Sequence, residues 1–219
     1  MKPPIIVTGA PRSGTSLTMQ ILHAAGMQLG KSAEESLNAA PGSPRGEGRI
    51  REQIEKPILE RGGFDPLGQN PLPPLEWKPD FITASELREQ VLAAVQVKDL
   101  NKPWGFKAIK GLLFWPLFAE AFPDAQWVFV ERQVNEHIKS IMRTPFMRAF
   151  STEEEWRKYL SKIDSHMNAC WDGVDNVSIF HPENVREGRY NYVAELVHGL
   201  GLEMTEAVYE QYNPKLYRA

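Results

Sequence analysis

The stretch PIIVTG, residues 4–9, is rich in β-branched residues and has no polar–apolar alternation. A strand with one wet face alternates, so an unbroken apolar run reads as a strand covered on both faces. The chain then passes through Ala10-Pro11-Arg12-Ser13-Gly14. Leu17, Ile21, Leu22 and Ala25 follow at helical spacing, and Gly26 closes the segment. The unit is strand, tight loop, helix.

The rest of the chain repeats this alternation. Residues 31–46 read as a Ser/Ala/Pro/Gly-rich loop, and Ile50, Ile54, Ile58 and Leu59 predict a helix. Residues 61–82 hold five prolines and three glycines, which predicts a long irregular loop, with Phe64 and Trp77 either lining a pocket or acting as a lid. Thr83 and Glu86 form a capping-box pattern ahead of a helix. WGFKAIK (104–110) predicts a strand, LLFWPLFAEAF (112–122) a helix, QWVFVER (126–132) a strand and VNEHIKSIMR (134–143) a helix. A second capping box, Ser151 to Glu154, opens another helix. NVSIF (176–180) then predicts a last strand and residues 190–202 a last helix.

Strands alternating with helices predict a three-layer α/β fold with a mainly parallel sheet, here a single domain over 1–219. Ligands in such sheets sit outside the carboxyl ends of the strands. Three groups of chemistry-bearing residues fall at those ends: Gly9–Ser16, Lys107–Lys110, and Arg132 with the helix after it.

The formal net charge of −3 excludes a globally basic surface for nucleic acid, so any anion site is a local cluster. One cysteine, Cys170, leaves no intramolecular disulfide. The longest apolar run, residues 111–119, is too short for a membrane helix of about 20 residues. The first strand begins by Pro4, which predicts no signal peptide and a cytoplasmic protein.

A loop leaving a strand and entering a helix aims backbone N–H groups at one point, and the helix dipole adds positive potential there. Gly9 and Gly14 permit unusual dihedrals, and the Thr15 and Ser16 hydroxyls offer short donors. The ATP-loop pattern G-x4-G-K-[ST] is met at Gly9, Gly14 and Ser16 but fails at Thr15, where lysine is required. Two readings stand at this point: an anion loop in which Arg12 supplies the charge, or a plain turn with Arg12 in solvent.

GAPRSGTSL closely resembles the 5′-phosphosulfate loop of sulfotransferases that use 3′-phosphoadenosine 5′-phosphosulfate (PAPS), with an unbroken match from Pro11 to Ser16. The resemblance implies that the loop amides and Ser13, Gly14, Thr15 and Ser16 hold the 5′-phosphate, with Arg12 reaching the sulfuryl oxygens. The family's second signature, an arginine after a strand and a serine eight positions on, is similar to Arg132 and Ser140. Those two would hold the 3′-phosphate, although Gln133-Val134 replace the usual turn with its proline. A third element, W-x-x-K-x-P-R, resembles residues 104–110, with Lys107 at the lysine, Lys110 at the arginine and Ile109 at the proline.

The resemblance covers most of 4–143 and implies a P-loop-like sulfotransferase fold. It implies PAPS as donor and adenosine 3′,5′-bisphosphate (PAP) as product, with no metal. The acceptor would be a hydroxyl or amine on a small molecule, glycan or lipid. Arg12 and Lys107 would stabilise charge during transfer, and Lys110 would assist or bind acceptor. Glu47, after a glycine at the start of a helix, is the expected general base. His23 is expected to pack on the first helix. The alternatives are a nucleotide or small-molecule kinase, against which Thr15 argues, and a non-catalytic PAPS-binding relative.

Overall fold

The computed structural model describes residues 1–30, 33–35 and 48–211. In chain order the elements are β1 (Ile5–Gly9), α1 (Thr15–Ala24), α2 (Gly48–Ile50), a π-helical stretch (Arg51–Glu55), α3 (Lys56–Arg61) and α4 (Ala84–Val95). Next come β2 (Gly105–Lys107), a 3-10 turn (Gly111–Phe114), α5 (Trp115–Ala121), β3 (Gln126–Val130), α6 (Val134–Met142) and α7 (Glu153–Gly173). β4 (Val177–Phe180), α8 (Glu183–Arg186), α9 (Tyr190–Gly199) and α10 (Glu206–Glu210) complete them. The strands form one parallel sheet in the order β2-β1-β3-β4.

Successive strand side chains point to opposite faces, and both faces are buried here. Ile5, Val7, Val128 and Val130 pack with Met19, Leu22, Val193 and Val197. Ile6, Phe106, Trp127 and Phe129 pack with Leu59, Val91, Phe118 and Ile163 on the other side. PIIVTG therefore has no polar position to alternate with, and the three-layer α/β expectation holds. Helices α1, α9 and α10 cover the first face, and α3, α4, α5 and α7 cover the second.

Several boundaries differ from the sequence reading. The strand expected over 104–110 stops at Lys107, because β2 pairs with β1 only through Gly105–Lys107. Past that point the Thr8 hydroxyl donates to the Ala108 carbonyl (2.8 Å), and the Gly111 N–H donates to Glu55 Oε1 (2.6 Å), bending the chain into the 3-10 turn. The capping box before α7 is Thr152 with Glu155, not Ser151 with Glu154. Thr152 Oγ1 accepts the Glu155 N–H and Glu155 returns to the Thr152 N–H. Glu154 instead pairs with Lys158 one turn on. His23 is exposed rather than packed, its ring against the Met27 carbonyl. The helix expected from Ile50, Ile54, Ile58 and Leu59 is present, although nothing in the sequence marked its π-helical stretch, and α10 was not predicted.

Past Arg61, the last residue of α3, the Pro/Gly-rich segment to residue 82 has no regular element but is firmly anchored. Asp65 accepts the N–H groups of Leu67, Gln69 and Asn70. Phe64 meets Trp77 edge-on at 4.9 Å, and Trp77 meets the core residue Phe114 at 6.2 Å. The two rings thus join an aromatic cluster. Buried Gln69 donates to the Phe146 carbonyl and accepts the N–H groups of Arg148 and Ala149. Tyr159 donates to the Gly68 carbonyl.

Candidate functional site

β1 and β3 are neighbours, and Gly9 pairs with Val130, so their carboxyl ends lie level. The chain goes from β1 to β2 on one side and from β3 to β4 on the other. The gap between β1 and β3 is the switch point of the sheet, where loops diverge and leave a crevice. Residues 10–14 and 131–133 leave from this point.

The loop is shaped by close packing. A Cβ on Gly9 would lie 2.5 Å from the Val130 carbonyl oxygen, and one on Gly14 would lie 2.4 Å from Pro182 Cγ. Both residues also have positive φ, +144° and +114°, so only glycine fits. Arg12, between them, is held at φ 74°. Gly14 begins α1 with no capping side chain, so the dipole of a ten-residue helix faces the loop.

Polar side chains converge here from separate elements. Ser13 is buried, and its Oγ has no hydrogen-bond partner. Lys107, buried at the end of β2, donates from Nζ to Ser16 Oγ at 3.2 Å. Arg132 donates from Nη1 to the Arg12 carbonyl at 3.3 Å. Desolvation, and then the Arg132 charge, lower the pKa of Arg12; desolvation lowers that of Arg132 despite the nearby Glu183 and Glu136. The Arg132 charge disfavours the Arg12 cation, a Coulomb cost that a bound oxyanion would offset.

The start of α6 is tied to the same place. Glu183 Oε1 accepts the Gln133 N–H at 3.0 Å. His137, 4% exposed, donates from Nε2 to the Pro11 carbonyl at 2.7 Å. Its pKa is lowered to about 4, chiefly by burial, so the ring is neutral at pH 7 and Nε2 carries the hydrogen.

The predicted residues are thus partly assembled. Pro11 to Ser16, Arg132 and Lys107 are brought together. Ser140 lies half-buried on the second turn of α6, with its carbonyl accepting the Thr144 hydroxyl. Lys110 is mostly buried at the entry to the 3-10 turn, its Cγ 3.4 Å from where a Cβ on Gly68 would sit. Its aliphatic stem therefore lies against the Pro/Gly-rich segment. Glu47 lies outside the described residues.

Sequence reasoning left out of the site Thr8, Glu55, His137 and Glu183. Two had a usable signal: Glu55 and His137 stand beside Ile54 and Ile138 on helix stripes that are otherwise apolar, where a polar side chain needs a buried partner.

The residues at the switch point offer hydroxyls, amides and cations. Among the described residues no group of three or more His, Cys, Asp or Glu side chains could hold a metal ion, and no helix is long and apolar enough to cross a membrane. The buried, unpartnered Ser13 hydroxyl, with Arg12 and Arg132 nearby, suits an anion. Fold and site together define a doubly wound α/β protein with a cationic loop at its switch point.

Residues 3–194 match the profile of a family described as the sulfotransferase family, and the chain belongs to that family. Solved structures of similar fold include sulfotransferase STF1 from Mycobacterium tuberculosis H37Rv, at 17% identity over 98% of this chain and 72% of that one, with a TM-score of 0.56. The sulfotransferase domain of the Synechococcus PCC 7002 olefin synthase matches at 13% identity, over 97% of this chain and 78% of its own, with a TM-score of 0.56. Sulfotransferase STF9 from Mycobacterium avium matches at 14% identity, over 98% and 68%, also with a TM-score of 0.56. At these identities the likeness is one of fold. No curated protein matches the sequence significantly.

Proposed function

We propose that the protein transfers the sulfuryl group of PAPS to a hydroxyl or amine of a small-molecule, glycan or lipid acceptor, releasing PAP. The observation that carries this reading is the meeting of three strand ends: the Lys107 ammonium on Ser16, and the Arg132 guanidinium on the carbonyl of Arg12. Family membership supports the reaction class. PAPS would supply the sulfuryl group already activated on its phosphate.

Pro11 to Ser16 would hold the 5′-phosphate, with the Ser13 hydroxyl gaining a partner. Arg132 and Ser140 would hold the 3′-phosphate. Arg12 and Lys107 would neutralise charge on the transferring and leaving oxygens, which is most of what this kind of in-line transfer asks of a protein. Lys110 and the Pro/Gly-rich segment beside it would face the acceptor, and Glu47 would take its proton.

Calorimetry with PAP and with magnesium ATP tests the donor. Tight binding of PAP and weak binding of ATP are expected, and preference for ATP would overturn the reading in favour of a kinase. Transfer of labelled sulfate from PAPS across a panel of hydroxyl and amine acceptors tests the activity. Donor binding without transfer to any acceptor would point to a non-catalytic relative.

A further inference from the structure

We propose that His137 is a positioning residue for the Pro11–Ser16 loop, holding the Pro11 carbonyl so that the next amide is aimed for a 5′-phosphate. The inference rests on the donor reading above. Its starting point is that two successive carbonyls of the loop, those of Pro11 and Arg12, are both taken by side chains of the segment after β3, His137 at 2.7 Å and Arg132 at 3.3 Å.

A trans peptide is planar, with its C=O and N–H pointing opposite ways. Fixing the Pro11 carbonyl towards α6 therefore points the Arg12 N–H away from α6. Fixing the Arg12 carbonyl does the same for the plane that follows, and the Ser13 N–H returns to the Ala10 carbonyl at 3.1 Å. Arg12 sits between these two planes at φ 74°, a conformation that L-residues adopt only when their surroundings impose it. The clamp is that imposition. Of its two parts, Arg132 is the one the donor reading assigns to the 3′-phosphate. His137 is buried and reaches no solvent-facing ligand, so its hydrogen bond to Pro11 stays with the loop whatever Arg132 does.

The test is nucleotide selectivity. Adenosine 5′-phosphate and adenosine 3′-phosphate are titrated into wild-type protein, His137→Leu and His137→Gln. Loss of one positioning hydrogen bond should weaken the 5′-phosphate by about tenfold in His137→Leu and the 3′-phosphate by less than about twofold. Gln carries a neutral N–H donor and should restore most of the loss. Equal weakening of both nucleotides, or none, in a variant that melts like wild type would overturn the role of His137 alone. Failure of the wild-type protein to bind either nucleotide would overturn the donor reading and this inference with it. A second measurement needs no variant. In wild-type protein labelled with ¹⁵N-histidine, the His137 Nε2–H should be protected from exchange and shift more with the 5′-phosphate than with the 3′-phosphate. An unprotected or unresponsive imidazole proton would sink the proposal even if His137→Leu does not fold.

Discussion

Acidification offers a quantitative check on the buried imidazole of α6. His137 titrates at about 4 in the folded protein against 6.5 for the free side chain, because burial disfavours the cation. The hydrogen bond to Pro11 and the Glu183 charge pull the other way, while Arg132 and Arg12 reinforce the lowering. Between about pH 6.5 and pH 4 the unfolded chain binds a proton that the folded chain refuses, so stability rises with pH across that window and falls on acidification. Going from pH 7 to pH 4.5, this one group should remove about 2 kcal/mol of folding free energy. Other groups titrate in the same range, His166 among them, which is also lowered by burial. The contribution is therefore isolated by difference. Urea unfolding of wild type and His137→Gln is measured at pH 7 and at pH 4.5, and the wild type should lose about 2 kcal/mol more than the variant. Parallel losses, equal within about 0.5 kcal/mol, would refute the claim that the folded state holds this ring neutral.

Three further outcomes are expected. Lys107→Ala should lower turnover by about 100-fold while changing PAP affinity far less, measured by sulfate transfer and calorimetry; unchanged turnover would remove Lys107 from the chemistry. Gly14→Ala puts a methyl group 2.4 Å from Pro182 Cγ at a φ of +114°, and should destabilise the protein by about 2 kcal/mol in urea unfolding while also weakening PAP binding. Gln69→Leu leaves the Phe146 carbonyl and the Arg148 and Ala149 N–H groups without their partner, and should cost about 2–3 kcal/mol in the same assay, where a neutral result would mean those groups are readily hydrated.

The parts of the fold that could be read in advance are those whose burial leaves a local pattern. PIIVTG and QWVFV are apolar at nearly every position because helices cover both sides of the sheet, and Thr83 with Glu86 is a self-contained cap. The end of β2 was not legible, since a strand stops where its neighbour stops pairing, and that register lies some hundred residues away on β1. The start of α7 was ambiguous for another reason. Ser151 and Thr152 each have a glutamate three residues on, and only the path of the chain entering the helix selects Thr152. At the site, Gly9, Gly14, Lys107 and Arg132 could be placed from strand ends. His137 could not be assigned a partner, because a polar residue on an apolar stripe signals only that one exists, and the partner here is a carbonyl 126 residues away.

The Gln69 amide has a mechanical consequence. It presents a donor and an acceptor at once, joining residues 77 positions apart, so the chain between them, from the Pro/Gly-rich segment through β2, β3 and α6, is closed into a ring by one side chain. Neither rim of that ring can fray without releasing the other. In hydrogen exchange the backbone N–H groups of residues 67–70 and 148–149 should therefore open with a single free energy, as one cooperative unit, although they share no regular element.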